Sequence, residues 1–200
     1  RKLVNRHIEV AFLTCAEEIS EAADPELIKK CVELAVRASA GGIILCFRSI
    51  PAENTLKQIL APAVAAAEEN GVFILLETSG VLADTKKVLE VVSIFESASI
   101  HVCWNIRETF FTAGEEADTT IQNLGAYISY VRVGDRLEGK DVLLGDGELP
   151  VADFMNALKS LNYEGYLCVD WNEEITSPDI VLTHFISYLS GKLPAAEKPR

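Results

Sequence analysis

The chain of 200 residues is long enough for one domain with a buried core, and its 49% hydrophobic and 24% charged residues are ordinary for a globular protein. Its formal net charge of -12 argues against a nucleic-acid partner, because phosphate binding needs clustered Lys and Arg, and these number 18 against 30 acidic residues. No apolar run reaches the roughly 18 to 20 residues that cross a bilayer, so the sequence predicts a cytoplasmic protein without a membrane partner.

Short apolar runs rich in Val, Ile, Leu and Phe recur along the chain and are typical of strands buried on both faces. The predicted strands cover residues 7–13, 42–47, 72–77, 100–104, 128–133 and 166–171. The five cysteines have no Cys-x-x-Cys spacing and mostly lie in these runs, which favours buried thiols over disulfides or zinc ligands.

Amphipathic segments with helix signals separate these runs. The first begins at Asp24-Pro25, where Asp can cap the helix and Pro can occupy its first position, and should end at about Ala38. The other predicted helices cover residues 52–70, 84–95, 117–125, 151–161 and 178–189. Strict alternation of strands and helices predicts a parallel sheet.

Two α/β folds fit this alternation. A doubly wound sheet and a barrel both need buried parallel strands, and periodicity alone does not separate them. Polar residues end nearly every predicted strand, and a barrel gathers all strand ends at one mouth whereas an open sheet spreads them along an edge. These residues are Thr14, Arg48, Glu77, Asn105, Arg132, Asp135 and Asp170. We therefore predict a partial parallel (β/α) TIM barrel of about six βα units, where a closed barrel has eight.

Five segments, at residues 65–77, 103–108, 130–135, 144–149 and 162–171, together resemble the xylose isomerase-like sugar phosphate isomerases and epimerases. Residues 65–77 resemble that family's helix, Gly-Val turn and glutamate-ended strand, and residues 103–108 its Asp-x-x-His segment. Residues 130–135 resemble its His-x-His or His-x-Lys-Asp strand, residues 144–149 its Gly-Glu-Gly loop, and residues 162–171 its closing Gly-Tyr-x-Gly and glutamate strand. The resemblance covers about residues 8–190, and the family's first two βα units have no counterpart.

The resemblance also implies a site for a divalent metal ion, which matches Glu77, Asn105, Tyr130 and Asp170. Only two of these are anionic, because Asn replaces aspartate and a Tyr hydroxyl seldom binds divalent ions. The family's histidine of the Asp-x-x-His segment is replaced by Glu108. We predict that no cofactor is needed, the alternative being Mn, Mg or Zn held by Glu77 and Asp170.

Without a metal, two carboxylates at a barrel mouth require another cation. We expect Arg132, supported by Arg48 or Arg107, to form an Arg–carboxylate cluster in the metal's place. The predicted catalytic residues are Glu77 and Asp170. The predicted substrate-binding residues are Arg132, Arg48, Asn105, Glu108 and Asp135. The competing interpretation is that Glu77 and Asp170 are solvated strand ends and that Arg132 is only their ion-pair partner.

Two functions follow from this resemblance. One is a sugar or sugar-phosphate isomerase or epimerase that takes a carbohydrate or an anionic metabolite, and the other is a non-catalytic binding or scaffolding domain of a larger enzyme. We expect the barrel domain to cover residues 1–191 and a linker-like tail residues 192–200. Two missing units leave strand edges uncovered, so we expect a homodimer or a covalently linked neighbouring domain.

Overall fold

The computed structural model describes residues 8–170 and 177–190. The predicted tail, the predicted domain boundary at residue 191 and the last residue of the sixth predicted strand lie outside the described residues. No described helix is long and apolar enough to cross a membrane.

The fold is a curled parallel sheet with helices on its outer face. Its strands are β1 (Leu13–Thr14), β2 (Gly42–Leu45), β3 (Phe73–Glu77), β4 (Ile100–Asn105), β5 (Ile128–Val133), β6 (Asp135–Leu137), β7 (Lys140–Val142) and β8 (Leu167–Val169). Six of them form one sheet in the order β1-β2-β3-β4-β5-β8, every neighbouring pair being parallel. A doubly wound sheet reverses its strand order at a switch point, and this sheet does not. The prediction of a partial TIM barrel of about six units is confirmed.

The predicted helices form close to their expected bounds. The helices are α1 (Pro25–Ala38), α2 (Glu53–Asn70), α3 (Thr85–Ser93), α4 (Ile106–Phe111), α5 (Ala117–Leu124), α6 (Val151–Ser160) and α7 (Pro178–Ser190). Asp24 caps α1 by accepting the backbone N–H of Glu26 at 2.9 Å, as its position before Pro25 predicts. Gly71 ends α2 in the left-handed region, with φ of 64°.

Strict alternation of strands and helices is wrong in two places. Two helices, α4 and α5, follow β4, and α4 begins directly after the strand because Asn105 caps it. An antiparallel hairpin of β6 and β7 follows β5. Glu138 and Gly139 connect the hairpin with φ of 50° and 77°, the left-handed conformations that tight hairpin turns require. The first strand is also shorter than predicted and overlaps the predicted range only at Leu13, because within the described residues β1 pairs on one side only, through Leu13 and Thr14.

Most of the core lies between the sheet and the helices, and a smaller one lies inside the curl. Ile44, Leu75 and Cys103 form this inner core, with Phe12 and Tyr130 packed against it. The rings of Phe12 and Tyr130 meet edge to face at 5.1 Å, although one precedes β1 and the other lies on β5. The sheet therefore curls far enough to enclose an interior.

Candidate ligand-binding site at the barrel mouth

Strand positions place four of the predicted site residues in one layer above the inner core. Glu77 pairs with Cys103, and Asn105 two residues later pairs with Arg132. Because side chains two residues apart on a strand point to the same face, Glu77, Asn105 and Arg132 all face the interior at the carboxyl ends of their strands. Asp170 follows β8 at the same end. The barrel thus brings together residues that are up to 93 positions apart in the sequence.

Glu77 is the most enclosed charge in this layer, with only 5% of its side chain exposed. Nη1 of Arg132 donates to both of its carboxylate oxygens, at 3.3 and 3.2 Å. Nδ2 of Asn105 donates to one of them at 2.8 Å, and the Cys46 thiol contacts the other at 3.4 Å. A buried carboxylate is stable only when paired and hydrogen-bonded, and these donors meet that need.

Asn105 connects helix α4 with the charged side chains of Glu77, Arg132 and Asp170, which we call the charge cluster. It uses both the oxygen and the nitrogen of its side-chain amide. Its Oδ1 accepts the backbone N–H of Glu108 at 3.3 Å and thereby caps α4. This cap turns Nδ2 toward the interior, where it donates to Glu77 at 2.8 Å and to Asp170 at 3.3 Å. A single amide therefore holds both predicted catalytic carboxylates, and an aspartate in this position would repel them.

Asp170 is paired with Arg107, which the sequence offered only as an alternative to Arg48. Nη2 of Arg107 lies 2.7 Å from Oδ2 of Asp170, whose side chain is 23% exposed. The Arg107 side chain passes over Gly134, where an added Cβ would lie 3.4 Å from Cδ of Arg107 and 2.6 Å from the Asp170 carbonyl oxygen. Glycine at this position lets Arg107 reach Asp170.

A second set of ion pairs borders the first. Arg107 also contacts Asp141 and Glu108, at 3.4 and 3.5 Å. Arg136 contacts the same two carboxylates, at 3.0 Å from Asp141 and 3.3 Å from Glu108. With Arg132, Glu77 and Asp170, the described mouth holds three guanidinium groups and four carboxylates. Each guanidinium group is already engaged by at least one carboxylate.

Two predicted substrate-binding residues lie outside this cluster. Arg48 pairs with Glu18 at 2.6 Å, and its side chain is 75% exposed. Asp135 is buried and accepts backbone N–H groups of Gly145, Gly147 and Leu149 at 2.9, 3.1 and 2.9 Å. Its carboxylate therefore shapes the loop after the hairpin, and it is enclosed by backbone donors.

Sequence reasoning missed Arg136 and Asp141 because it missed the hairpin that carries them. The dipeptide Glu138-Gly139 between two short polar segments was the available signal for that turn. It also missed Thr14 as a partner of Arg132, whose Nη2 donates to the Thr14 hydroxyl at 3.0 Å. That contact depends on the curl of the sheet, since 118 residues separate the two positions.

Electrostatic effects and burial keep Arg132 charged and keep the Cys46 thiol and the Tyr130 hydroxyl neutral. Burial opposes the charge on Arg132, but the carboxylate of Glu77 and other neighbours outweigh it and raise the pKa of Arg132. Burial, followed by the negative charge of Glu77, raises the pKa of Cys46 to about 11. Burial and the Cys168 thiol raise the pKa of Tyr130, so its hydroxyl stays protonated.

The residues at the family's metal position do not fit a divalent ion. The oxygens of Glu77 face guanidinium and amide N–H groups, Asn105 presents its nitrogen, and Tyr130 keeps its proton. Within residues 8–170 and 177–190, no group of three His, Cys, Asp or Glu side chains is arranged to hold a metal. Arg132 supplies the positive charge that a metal would bring.

Comparison with known proteins gives one family and several similar folds. A family model described as the xylose isomerase-like TIM barrel matches residues 7–184. Curated protein sequences give no match. The structure of 3-keto-D-glucoside 4-epimerase from E. coli is similar, with a TM-score of 0.75, 11% identity, and coverage of 94% of this chain and 81% of that chain.

Two further structures show the same fold. A xylose isomerase domain protein from Planctomyces limnophilus has a TM-score of 0.75 and 15% identity, covering 95% of this chain and 78% of that one. D-allulose 3-epimerase from Methylomonas sp. in complex with D-allulose has a TM-score of 0.73 and 15% identity, covering 96% of this chain and 79% of that one. The family resemblance inferred from the sequence segments is confirmed.

Proposed function

The chain belongs to the xylose isomerase-like TIM barrel family, and we propose that it is a sugar isomerase- or epimerase-like domain that binds a small carbohydrate at its mouth without a divalent metal. The observation that carries this proposal is the guanidinium of Arg132, which lies within 3.3 Å of both carboxylate oxygens of Glu77. A metal ion needs the lone pairs that these hydrogen bonds use.

The chemistry of the mouth favours an uncharged polyhydroxylated ligand. Side chains that accept, donate or do both reach solvent there: the Asp170 carboxylate, the Arg132 guanidinium and the Thr14 hydroxyl. The described mouth has one more carboxylate than guanidinium groups, and this excess negative charge disfavours an anionic ligand such as a sugar phosphate. Two of the similar structures named above are sugar epimerases, and one of these two holds D-allulose.

Binding can be tested by thermal denaturation with D-allulose and a matched sugar phosphate, each with and without EDTA. We expect the neutral sugar to raise the melting temperature equally in both conditions, because binding stabilises the folded state and needs no metal. Asp170→Asn should remove the shift, and Asp118→Asn, which changes an exposed carboxylate on α5, should keep it. A shift that EDTA abolishes, or that appears only with the phosphate, would refute the proposal.

A second candidate function is proton transfer at Asp170, as in an epimerase. Glu77 is a poorer base, because its oxygens accept hydrogen bonds from Arg132 and Asn105 and little of it is exposed. Asp170 also meets one guanidinium group and accepts from Asn105 at 3.3 Å, but 23% of its side chain is exposed against 5% for Glu77, so a substrate can reach it. Incubation with a ketose in D₂O tests this candidate, since epimerisation by proton transfer places deuterium on the carbon next to the carbonyl. Binding without deuterium uptake would identify a non-catalytic domain.

We also propose that a second copy or a linked domain covers the open edges of the sheet. Strands β1 and β8 each pair on one side only within the described residues. Unpaired strand edges favour association with other chains. Light scattering after size-exclusion chromatography distinguishes a dimer from a monomer, and a strictly monomeric, soluble chain would contradict a homodimer.

A further inference from the structure

Two cysteines lie close together on the outer side of β1, away from the charge cluster. Cys15 directly follows β1 and is 4% exposed, and Cys31 lies in the middle of α1 and is partly exposed. Their sulfur atoms are 2.9 Å apart. A disulfide bond is about 2.05 Å long, so closing the pair requires a movement of roughly 0.9 Å.

We propose that Cys15 and Cys31 form a reversible disulfide that fastens β1 to α1. The oxidant is a low-molecular-mass disulfide, such as glutathione disulfide. One thiolate attacks it, forming a mixed disulfide and releasing one thiol, and the second thiolate then attacks the protein sulfur and releases another. The protein loses two protons and two electrons, and the oxidant is reduced to two thiols.

The environments of the two thiols set the order of these steps. Burial, followed by the hydrogen bond with Cys31, raises the pKa of Cys15 to about 12, so Cys15 is almost entirely protonated at neutral pH. Cys31 is more exposed and meets an oxidant first. The mixed disulfide therefore forms on Cys31, and Cys15 resolves it from within the core.

The position of the pair gives the cross-link a structural effect. Within the described residues, β1 pairs on one side only, and only its Leu13 and Thr14 pair with β2, so few backbone hydrogen bonds hold it. Helix α1, in contrast, buries Ile28, Val32 and Ala35 against the core. A covalent link between Cys15 and Cys31 therefore holds the end of β1 against a helix that is itself firmly packed.

The same link reaches the mouth through one residue. Thr14, which precedes Cys15, accepts a hydrogen bond from Arg132 at 3.0 Å. Oxidation therefore restricts the movement of Thr14, the residue of β1 that contacts the charge cluster. The other three thiols face the interior and are not placed to compete for Cys15. Cys46 contacts Glu77, Cys103 lies in the inner core, and Cys168 pairs across the sheet with Arg132.

Thiol trapping tests the proposal on the full chain. The protein is equilibrated in glutathione buffers of increasing disulfide content, alkylated with a maleimide, digested and analysed by mass spectrometry. We expect two of the five thiols to be lost together, and a peptide joining residue 15 to residue 31. Cys31→Ser should abolish the joined peptide, and Cys168→Ser should retain it.

Thermal stability provides a second measurement that needs no variant. Closing the loop between Cys15 and Cys31, which are 16 positions apart, should raise the melting temperature of the oxidised wild type by roughly 5 to 10 °C, and added dithiothreitol should reverse the rise. Stable glutathione adducts on Cys31 with no joined peptide would overturn the proposal, as would a disulfide that uses Cys46, Cys103 or Cys168. If Cys31→Ser does not fold, the wild-type peptide map alone decides between these outcomes.

Discussion

Replacing Arg132 by methionine removes the cation that neutralises Glu77 and keeps a long apolar stem in its place. The variant loses the contacts of 3.2 and 3.3 Å to Glu77 and the 3.0 Å hydrogen bond to Thr14. Glu77 is then a carboxylate with 5% side-chain exposure and no cationic partner within the described cluster. Removing one partner of a buried ion pair costs about 3 to 5 kcal/mol of unfolding free energy.

Urea unfolding at pH 7 measures this loss directly. Arg48→Met is the matched control, because the 2.6 Å pair of Arg48 with Glu18 has side chains that are 75% and 45% exposed. Such a pair is worth about 0 to 1 kcal/mol. The reasoning is refuted if the two variants lose the same free energy of unfolding.

A double variant identifies the source of the loss. Glu77→Gln removes the buried charge and keeps the shape, so adding it to Arg132→Met should recover part of the lost stability. We expect a coupling energy of about 2 kcal/mol or more from this double-mutant cycle. Additive losses would mean that the two side chains stabilise the fold separately and that the ion pair is not the relevant interaction.

The remaining predictions concern other parts of the same account. Asn105→Asp should lower the unfolding free energy by about 2 kcal/mol or more, because it places a third carboxylate where Nδ2 now lies 2.8 Å from Glu77. Asp135→Ala should cost about 1 to 3 kcal/mol in urea unfolding, because the buried N–H of Leu149 loses its acceptor, as do the partly buried N–H groups of Gly145 and Gly147. The pKa of Cys46 is raised from 9.0 to about 11, so the folded state holds this proton more tightly than the unfolded chain. Its contribution to stability should be complete below pH 9 and be lost as the pH rises through about 11, which urea midpoints from pH 8 to 12 would show.

The sequence was sufficient to predict the repeating strand–helix units of the fold. Buried parallel strands such as β2 and β3 are continuous apolar runs, and Asp24 and Gly71 mark helix ends through local backbone chemistry. The hairpin was missed because its strands are three residues long and polar, so they carry neither an apolar run nor helical periodicity. Short strands of this kind are held by their turn and by tertiary ion pairs.

The candidate site was predictable only in part. Strand-end position identified Glu77, Asn105, Arg132 and Asp170, because parallel strands bring their carboxyl ends together. The same reasoning could not choose between Arg48 and Arg107 as the supporting cation. That choice depends on where each side chain points after its strand ends: Arg107 lies in the first turn of α4 and crosses Gly134, while Arg48 turns outward to Glu18.

The central claim is that a guanidinium group occupies the place of the family's metal ion. Its most direct test is the metal content of the protein after equilibration with Mn²⁺, Mg²⁺ or Zn²⁺ and removal of the free ion, measured by elemental analysis. We predict far less than one ion per chain, and the same melting temperature with and without EDTA. A stoichiometric ion that is lost when Glu77 or Asp170 is replaced by alanine would contradict the account.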